Sequence, residues 1–268
     1  MAKIGFIGMG NMGYALARGL LSAFDEDDIM FSCNTAEKRS TVSAELGIVP
    51  AASNIELVQA CEMIVLAIKP QVYQEVFDEI NGYVHPGSII ISLAPGKSIS
   101  YITEALGGDV RVVRAMPNTP ALIGHGMTGI AYDDALFSSE DVDVIDKLFS
   151  SVGNYKKVEE SQMSAVVCAS GSSPAYVYMF IKELTDAVVK KGLPEDTALD
   201  MVSNAVVGAA MMVLKTGEDP ETLKTKVCSK GGTTIAGIGR LEEDGFAWAL
   251  HDATDACYER SEELGRQN

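Results

Sequence analysis

Up to about Glu160, short apolar runs alternate with stretches of helical periodicity; beyond it helical periodicity continues alone. The apolar runs predict strands over Lys3 to Ile7, Asp28 to Ser32, Glu62 to Ile68, Ser88 to Leu93 and Val110 to Ala115, with outer strands at Thr128 to Tyr132 and Tyr155 to Val158. Glu62 to Ile68 is an almost unbroken apolar run, as suits a sheet covered on both faces. Between these runs Met12, Leu16, Leu20 and Leu21 recur at helical spacing, and Thr35 to Leu46, Gln71 to Ile80 and Glu140 to Val152 read as helices. Ser53-Asn54-Ile55-Glu56 is a capping box opening a further helix to Ala60. This alternation predicts an α/β fold, a doubly wound parallel sheet over residues 1–160. After it, Ser161 to Ala169, Pro174 to Lys191, Glu195 to Thr216, Pro220 to Cys228, Thr233 to Glu243 and Phe246 to Leu264 predict an all-α second domain, residues 161–268. Met201 to Leu214 is apolar or small on every side and needs cover all round. A second chain packing through Ala205, Gly208, Ala209 and Ala210 supplies that cover; the chain's own first domain is the alternative.

Chemistry enters at the first strand. Gly8, Gly10 and Gly13 form G-x-G-x-x-G directly after it and open a helix. Gly8 permits the tight turn, Gly10 lets backbone approach a pyrophosphate, and Gly13 lets helix and strand pack closely, which makes the domain a Rossmann-type dinucleotide site. Phosphates then sit at the helix N-terminus, where N–H groups and the dipole favour anions. An NAD site places Asp or Glu at the end of the second strand, for the ribose 2′-OH. Here Ser32-Cys33-Asn34-Thr35 stands there, with Lys38 and Arg39 close behind. Small polar groups and cations suit a 2′-phosphate and hence NADP(H), with Asn34 and Thr35 as contacts, although the two cations also suit the start of a solvated helix. Lys69-Pro70 ends the Glu62 to Ile68 strand, where this fold binds ligands, so Lys69 either touches cofactor or caps the strand in water. The loop Met116 to Gly126 is held by Pro117 and Pro120 and either lines a nicotinamide pocket or is a rigid connection. His125 within it has no acid at a fixed spacing and reads as a loop hydrogen-bonder.

Two polar, glycine-rich stretches interrupt the helices, Ser170-Gly-Ser-Ser-Pro174 and Ser229-Lys-Gly-Gly-Thr-Thr234. Each is expected to present N–H groups and hydroxyls at a helix N-terminus, an arrangement that binds a carboxylate or simply caps the helix. The bulk numbers narrow the ligands. The 268 residues suit two ordinary domains, and a net charge of −16 argues against nucleic-acid or anionic-membrane partners. Five scattered cysteines without a C-x-x-C pair, and three histidines without a metal-ligand neighbour at i+3 or i+4, predict no disulfide framework and no metal site. With strand residues from position 3 and the Met201 to Leu214 run too short for a bilayer, the expected location is cytoplasmic.

Five blocks together resemble the pyrroline-5-carboxylate reductase family: Gly5-Phe-Ile-Gly-Met-Gly-Asn-Met-Gly13, Ile68-Lys-Pro70, Arg114-Ala-Met-Pro-Asn-Thr-Pro-Ala121, Gly171-Ser-Ser-Pro-Ala-Tyr176 and Gly231-Gly-Thr-Thr-Ile-Ala236. The resemblance runs nearly end to end. It implies reduction of the C=N bond of 1-pyrroline-5-carboxylate to L-proline with NADPH, or NADH, as the last step of proline biosynthesis. It implies a carboxylate-binding loop of Ser229, Gly231, Gly232, Thr233 and Thr234, with the Thr234 hydroxyl as the donor facing the ring nitrogen. The matching cofactor positions are Gly8, Met9, Gly10, Asn11, Met12, Asn54, Ala67, Ile68, Lys69 and Pro70, with Asn118 by the nicotinamide. The resemblance also implies an all-α dimerisation domain, a homodimer in which the loop meets the neighbouring subunit's cofactor domain, and rings of such dimers. Two departures bear on affinity: Lys230 stands where the family usually has proline, and Pro95 where it often has alanine. A hydroxyacid dehydrogenase of the 3-hydroxyisobutyrate type is a rival, but Gly171 to Met179 lacks the lysine that chemistry uses and Lys182 comes a turn too late. A non-catalytic NADP-binding sensor is the other, and has no need of the Ser229 to Thr234 loop.

Overall fold

The computed structural model describes residues 4–266, so Lys3, expected in the first strand, lies outside the described residues. Eight strands form one sheet: β1 (Ile4–Ile7), β2 (Ile29–Ser32), β3 (Val49–Pro50), β4 (Met63–Leu66), β5 (Ile89–Ser92), β6 (Arg111–Met116), β7 (Gly126–Ala131) and β8 (Gly153–Lys157). Their order is β3-β2-β1-β4-β5-β6-β7-β8, and every pairing is parallel except β6 with β7. The order reverses direction at β1, so a crevice opens outside the carboxyl ends of β1 and β4. The short edge strand β3 is an addition to the expected set. Its two exposed residues carry no apolar run for sequence reading to find.

The helices on this sheet are α1 (Asn11–Leu20), α2 (Ala36–Leu46), α3 (Asn54–Ala60), α4 (Tyr73–Ile80), α5 (Ile99–Ala105) and α6 (Ser139–Ser150). They cover both faces. Phe6, Leu16, Leu20, Phe31 and Phe149 fill one core; Leu57, Ile64, Tyr73, Phe77 and Ile90 fill the other. Burying each such side chain contributes about 1.5–3 kcal/mol, and β1, β4 and β5 are buried on every residue, which explains their unbroken apolar runs. The Ser53 hydroxyl caps α3 by accepting from the Glu56 N–H at 3.1 Å. The expected box closes differently, because Glu56 Oε2 accepts the N–H of Ala52 at 2.5 Å.

Beyond β8 come α7 (Met163–Val166), α8 (Ser173–Val189), α9 (Glu195–Thr216), α10 (Pro220–Val227), α11 (Thr233–Glu243) and α12 (Phe246–Arg266). By contacts the chain divides into two compact units, residues 1–174 with 257–268, and residues 175–256. The point near 160 marks where strands end, whereas the contact division falls later and returns the end of α12 to the first unit. In that unit the Ser164 hydroxyl donates to the Glu262 carboxylate, and the Ser261 and Ser164 hydroxyls are 3.1 Å apart.

One expectation is corrected by the backbone. Ser170 to Pro174 is not a loop leading into a helix. Val167–Ser172 is a π-helical segment joining α7 to α8 without a break. Proline brings no N–H, and the wider ladder just before it absorbs that loss within a continuous helix. The hydroxyls of Ser170 and Ser173 turn back onto the carbonyls of Val166 and Ala169, at 3.3 and 2.8 Å. This stretch therefore offers no helix N-terminus to a carboxylate.

The second correction concerns length. Met201 to Leu214 belongs to a 22-residue helix of mean hydropathy 1.6, and residues Glu160–Val189 form a helical stretch of hydropathy 1.2; both are long and apolar enough to cross a membrane by length and composition. The helix has the expected bounds, Glu195–Thr216; counting its charged and polar ends with the uncharged run gives it membrane-spanning length. Within one chain α9 buries only Ala198 and Val202, leaving Val207 61% and Leu214 78% exposed.

Candidate active site

The carboxyl ends of β1, β2 and β4 converge on the glycine turn. The Gly8 N–H donates to the Ser32 carbonyl at 2.9 Å, and the Ala67 N–H to that of Ile7 at 2.9 Å. Gly8 has φ +93°, which only glycine adopts readily, and a Cβ there would lie 2.7 Å from the Ala67 carbonyl oxygen. A Cβ on Gly13 would stand 2.4 Å from the Gly8 carbonyl oxygen, so α1 crosses β1 at backbone contact. Gly10 has the opposite surroundings: a Cβ there would meet nothing within 4 Å. It is the N-cap of α1 and no side chain caps that end. The first-turn N–H groups of α1 thus face open space beside a residue without a side chain, a cradle that fits a pyrophosphate. Met9 is buried beneath the turn, while Gly10 and Asn11 are exposed and Met12 is half-buried.

On the β4 side, Ala67, Ile68 and Pro70 are half-buried and Lys69 is exposed at the rim. The floor is tied by Tyr73, whose phenol donates to the Leu66 carbonyl at 3.2 Å and lies 2.9 Å from the Ser92 hydroxyl. Burial pushes that phenol far above its ordinary pKa, so it stays protonated and acts as a fixed tie between β4 and β5. Neither Tyr73 nor Ser92 stood out in the sequence, since nothing local marks a buried tyrosine as a cross-strand link.

On the β2 side, Asn34 and Thr35 are exposed. The Thr35 hydroxyl is the N-cap of α2 and accepts the Lys38 N–H at 3.3 Å. Arg39 turns back to the strand end, where its guanidinium donates to the Cys33 carbonyl at 3.3 Å. Asn54, at the start of α3, joins this group: it accepts from the Ser32 hydroxyl at 2.6 Å and donates to the Glu79 carboxylate at 2.6 Å.

Asn118 is buried after β6, and both ends of its amide are engaged. Its Nδ2 donates to the Ser170 carbonyl at 3.0 Å and its Oδ1 accepts the Met127 N–H at 2.9 Å. It pins the loop after β6 to β7 and to the π-helical segment, leaving one N–H and one lone pair for other partners. The loop itself is a short 3-10 turn, Thr119–Ile123, ended by Gly124 at φ +75°. His125 is exposed there.

In the second unit, Ser229 to Thr234 forms a tight turn into α11. The Gly232 N–H donates to the Ser229 carbonyl at 3.0 Å, with Gly231 at φ +74° between them and Lys230 exposed at the tip. A Cβ on Gly232 would sit 2.3 Å from the Ser229 hydroxyl oxygen. Gly232 is the N-cap of α11 and makes no side-chain cap bond, so the N–H groups of Thr233 and Thr234 are left for an anion. No disulfide joins the five cysteines, and no cluster of potential metal ligands occurs among the described residues.

Comparison with known proteins shows which chains this one resembles. Residues 160–264 match the family described as pyrroline-5-carboxylate reductase dimerisation, and residues 3–96 the family described as NADP oxidoreductase, coenzyme F420-dependent. The chain is 40% identical over 266 residues to the pyrroline-5-carboxylate reductase of Escherichia coli K12, covering 98% of each. Among solved structures it resembles a Plasmodium falciparum pyrroline carboxylate reductase with NADP bound, at TM-score 0.88 and 32% identity with 98% of each chain covered. The pyrroline-5-carboxylate reductase of Coxiella burnetii aligns at TM-score 0.90 and 30% identity, again over 98% of each.

Proposed function

The chain belongs to the pyrroline-5-carboxylate reductase family, and on that footing we propose how its own residues carry out NAD(P)H-dependent reduction of the C=N bond of 1-pyrroline-5-carboxylate to L-proline. The observation that carries the reading is that the chain holds two uncapped glycine-led helix starts, one at Gly10 and one at Gly232. The first suits a pyrophosphate and the second a carboxylate.

Gly8, Met9, Gly10, Asn11 and Met12 hold the cofactor's phosphates; Ala67, Ile68, Lys69 and Pro70 form the opposite wall. Asn34, Thr35 and Asn54 face the adenosine ribose, and Asn118 fixes the loop beside the nicotinamide. Bound there, the nicotinamide supplies the hydride. Ser229, with Gly231 and Gly232 shaping the turn, and the N–H groups of Thr233 and Thr234 grip the substrate carboxylate. The Thr234 hydroxyl donates to the ring nitrogen. The neutral cyclic imine is basic and takes up its one proton at nitrogen readily as hydride reaches carbon, so a well-placed hydroxyl donating to the nitrogen lone pair suffices and no strong acid is required. A hydroxyacid dehydrogenase needs a lysine near the start of α8; Lys182 instead sits well along that helix, exposed and paired with Asp186 at 2.5 Å.

The working unit is a homodimer that covers α9, assembled further into a ring, in the cytoplasm. A second copy, not lipid, is the partner of the exposed apolar helices. The reading is tested by following NADPH oxidation with 1-pyrroline-5-carboxylate. The wild-type chain turns over, and Thr234→Ala loses about a hundredfold in kcat, the scale of one positioned proton donor. Absence of cofactor oxidation at every pH tried sinks the reductase reading.

A further inference from the structure

The second strand lacks the acid that a dinucleotide fold uses to hold an unphosphorylated ribose, yet the structure brings a carboxylate close to that place from elsewhere. Ser32 ends β2 and shares a hydrogen bond with Gly8 of the phosphate turn. Its hydroxyl donates to Asn54 Oδ1 at 2.6 Å, and Asn54 Nδ2 donates to Glu79 Oε2 at 2.6 Å. Glu79 belongs to α4 and is exposed, so it is not needed to fill a core. Its carboxylate stands two hydrogen bonds from the end of β2.

Resting on the dinucleotide reading above, we propose that Glu79, acting with Asn54, is a specificity-determining residue for the adenosine ribose, favouring a 2′-hydroxyl and penalising a 2′-phosphate. The physical case has two parts. An ionised carboxylate only accepts hydrogen bonds, so it orients the Asn54 amide with nitrogen outward and oxygen toward Ser32. It also leaves acceptor sites on the carboxylate oxygens, which suit a ribose hydroxyl. A 2′-phosphate brings up to two negative charges to the same node and is repelled by the carboxylate. Arg39, held at the same strand end through the Cys33 carbonyl, attracts that phosphate. The two side chains therefore oppose each other, and the chain accepts both NADPH and NADH where a site with Arg39 alone would strongly prefer the phosphorylated form.

The probes are 2′,5′-ADP and 5′-AMP, titrated calorimetrically into the full-length protein at low and high salt, without substrate or turnover. Glu79→Gln keeps the shape and removes the charge. It should tighten 2′,5′-ADP by about three- to tenfold at low salt, a gain that shrinks at high salt, while 5′-AMP stays level or weakens. Glu79→Ala should shift the ratio the same way. If both ligands move together in both variants, or neither moves, Glu79 has no role in reading the ribose and the proposal falls. Because fragment binding needs no reduction of an imine, failure of the reductase reading would show separately, as absent NADPH oxidation with this ratio still measurable.

Discussion

Gly13 shows how a single residue type can be dictated by backbone contact. Its missing Cβ is the reason α1 can cross β1 where it does, since a methyl there would press on the Gly8 carbonyl, which has no flexible end to move. Gly13→Ala should force the turn to shift, an overpacking effect of about 1–3 kcal/mol. Because the shift falls on the phosphate cradle, NADP+ affinity by calorimetry should drop about tenfold or more. Gly10 is the informative contrast. A methyl there meets no protein atom, so Gly10→Ala should leave the thermal midpoint nearly unchanged while weakening the cofactor. The five-block pattern made both glycines legible, but not the difference between them.

At the scale of elements, the loop after β6 is held less by its prolines than by Asn118. Truncating it removes the side-chain partner of the half-buried Met127 N–H and one acceptor bond at the Ser170 carbonyl, and a buried group left unpaired costs about 1–3 kcal/mol. Asn118→Ala should therefore lower unfolding stability by about 1–3 kcal/mol in urea. Asn118→Asp keeps the acceptor for Met127 and loses the donor to Ser170, and should fall between wild type and alanine. A direct nicotinamide contact by Asn118 has only one N–H and one lone pair to work with, so most of the variant's effect on turnover should come through kcat as the loop loosens. The family resemblance marks Asn118 as a position by the nicotinamide; the hydrogen bonds show it as a tie within the fold. Sequence reading did not see the π-helical partner, because serine and glycine before proline read equally well as a helix start. Only the hydrogen bonds of Ser170 and Ser173 back along the same helix decide that.

For the whole molecule, α9 is the element that calls for cover. A helix with Met201, Val207, Met212 and Leu214 exposed in one chain is not stable as solvent surface, and the family match places a dimerisation region over it. Val207→Glu should shift sedimentation toward a smaller species and lower the thermal midpoint. It leaves the Gly10 cradle intact, so 5′-AMP binding should survive. An unchanged assembly would mean that α9 is covered some other way.

The sequence by itself determined the class of fold, the phosphate turn and the family. These rest on local chemistry: apolar runs with period two or none, and glycines in a fingerprint directly after a strand. It also announced that one helix needed a partner, because no face of it was polar. Tertiary structure decided what proximity alone can decide. It made Ser170 to Pro174 part of a helix, turned Asn118 into a tie between three segments, and placed Glu79 beside Asn54. The absence of an acid at the end of β2 is a feature of the sequence that suits NADP(H). Folding also brings Glu79 of α4 into a hydrogen bond with Asn54, and no local pattern marks a residue whose partner is chosen only when the sheet closes.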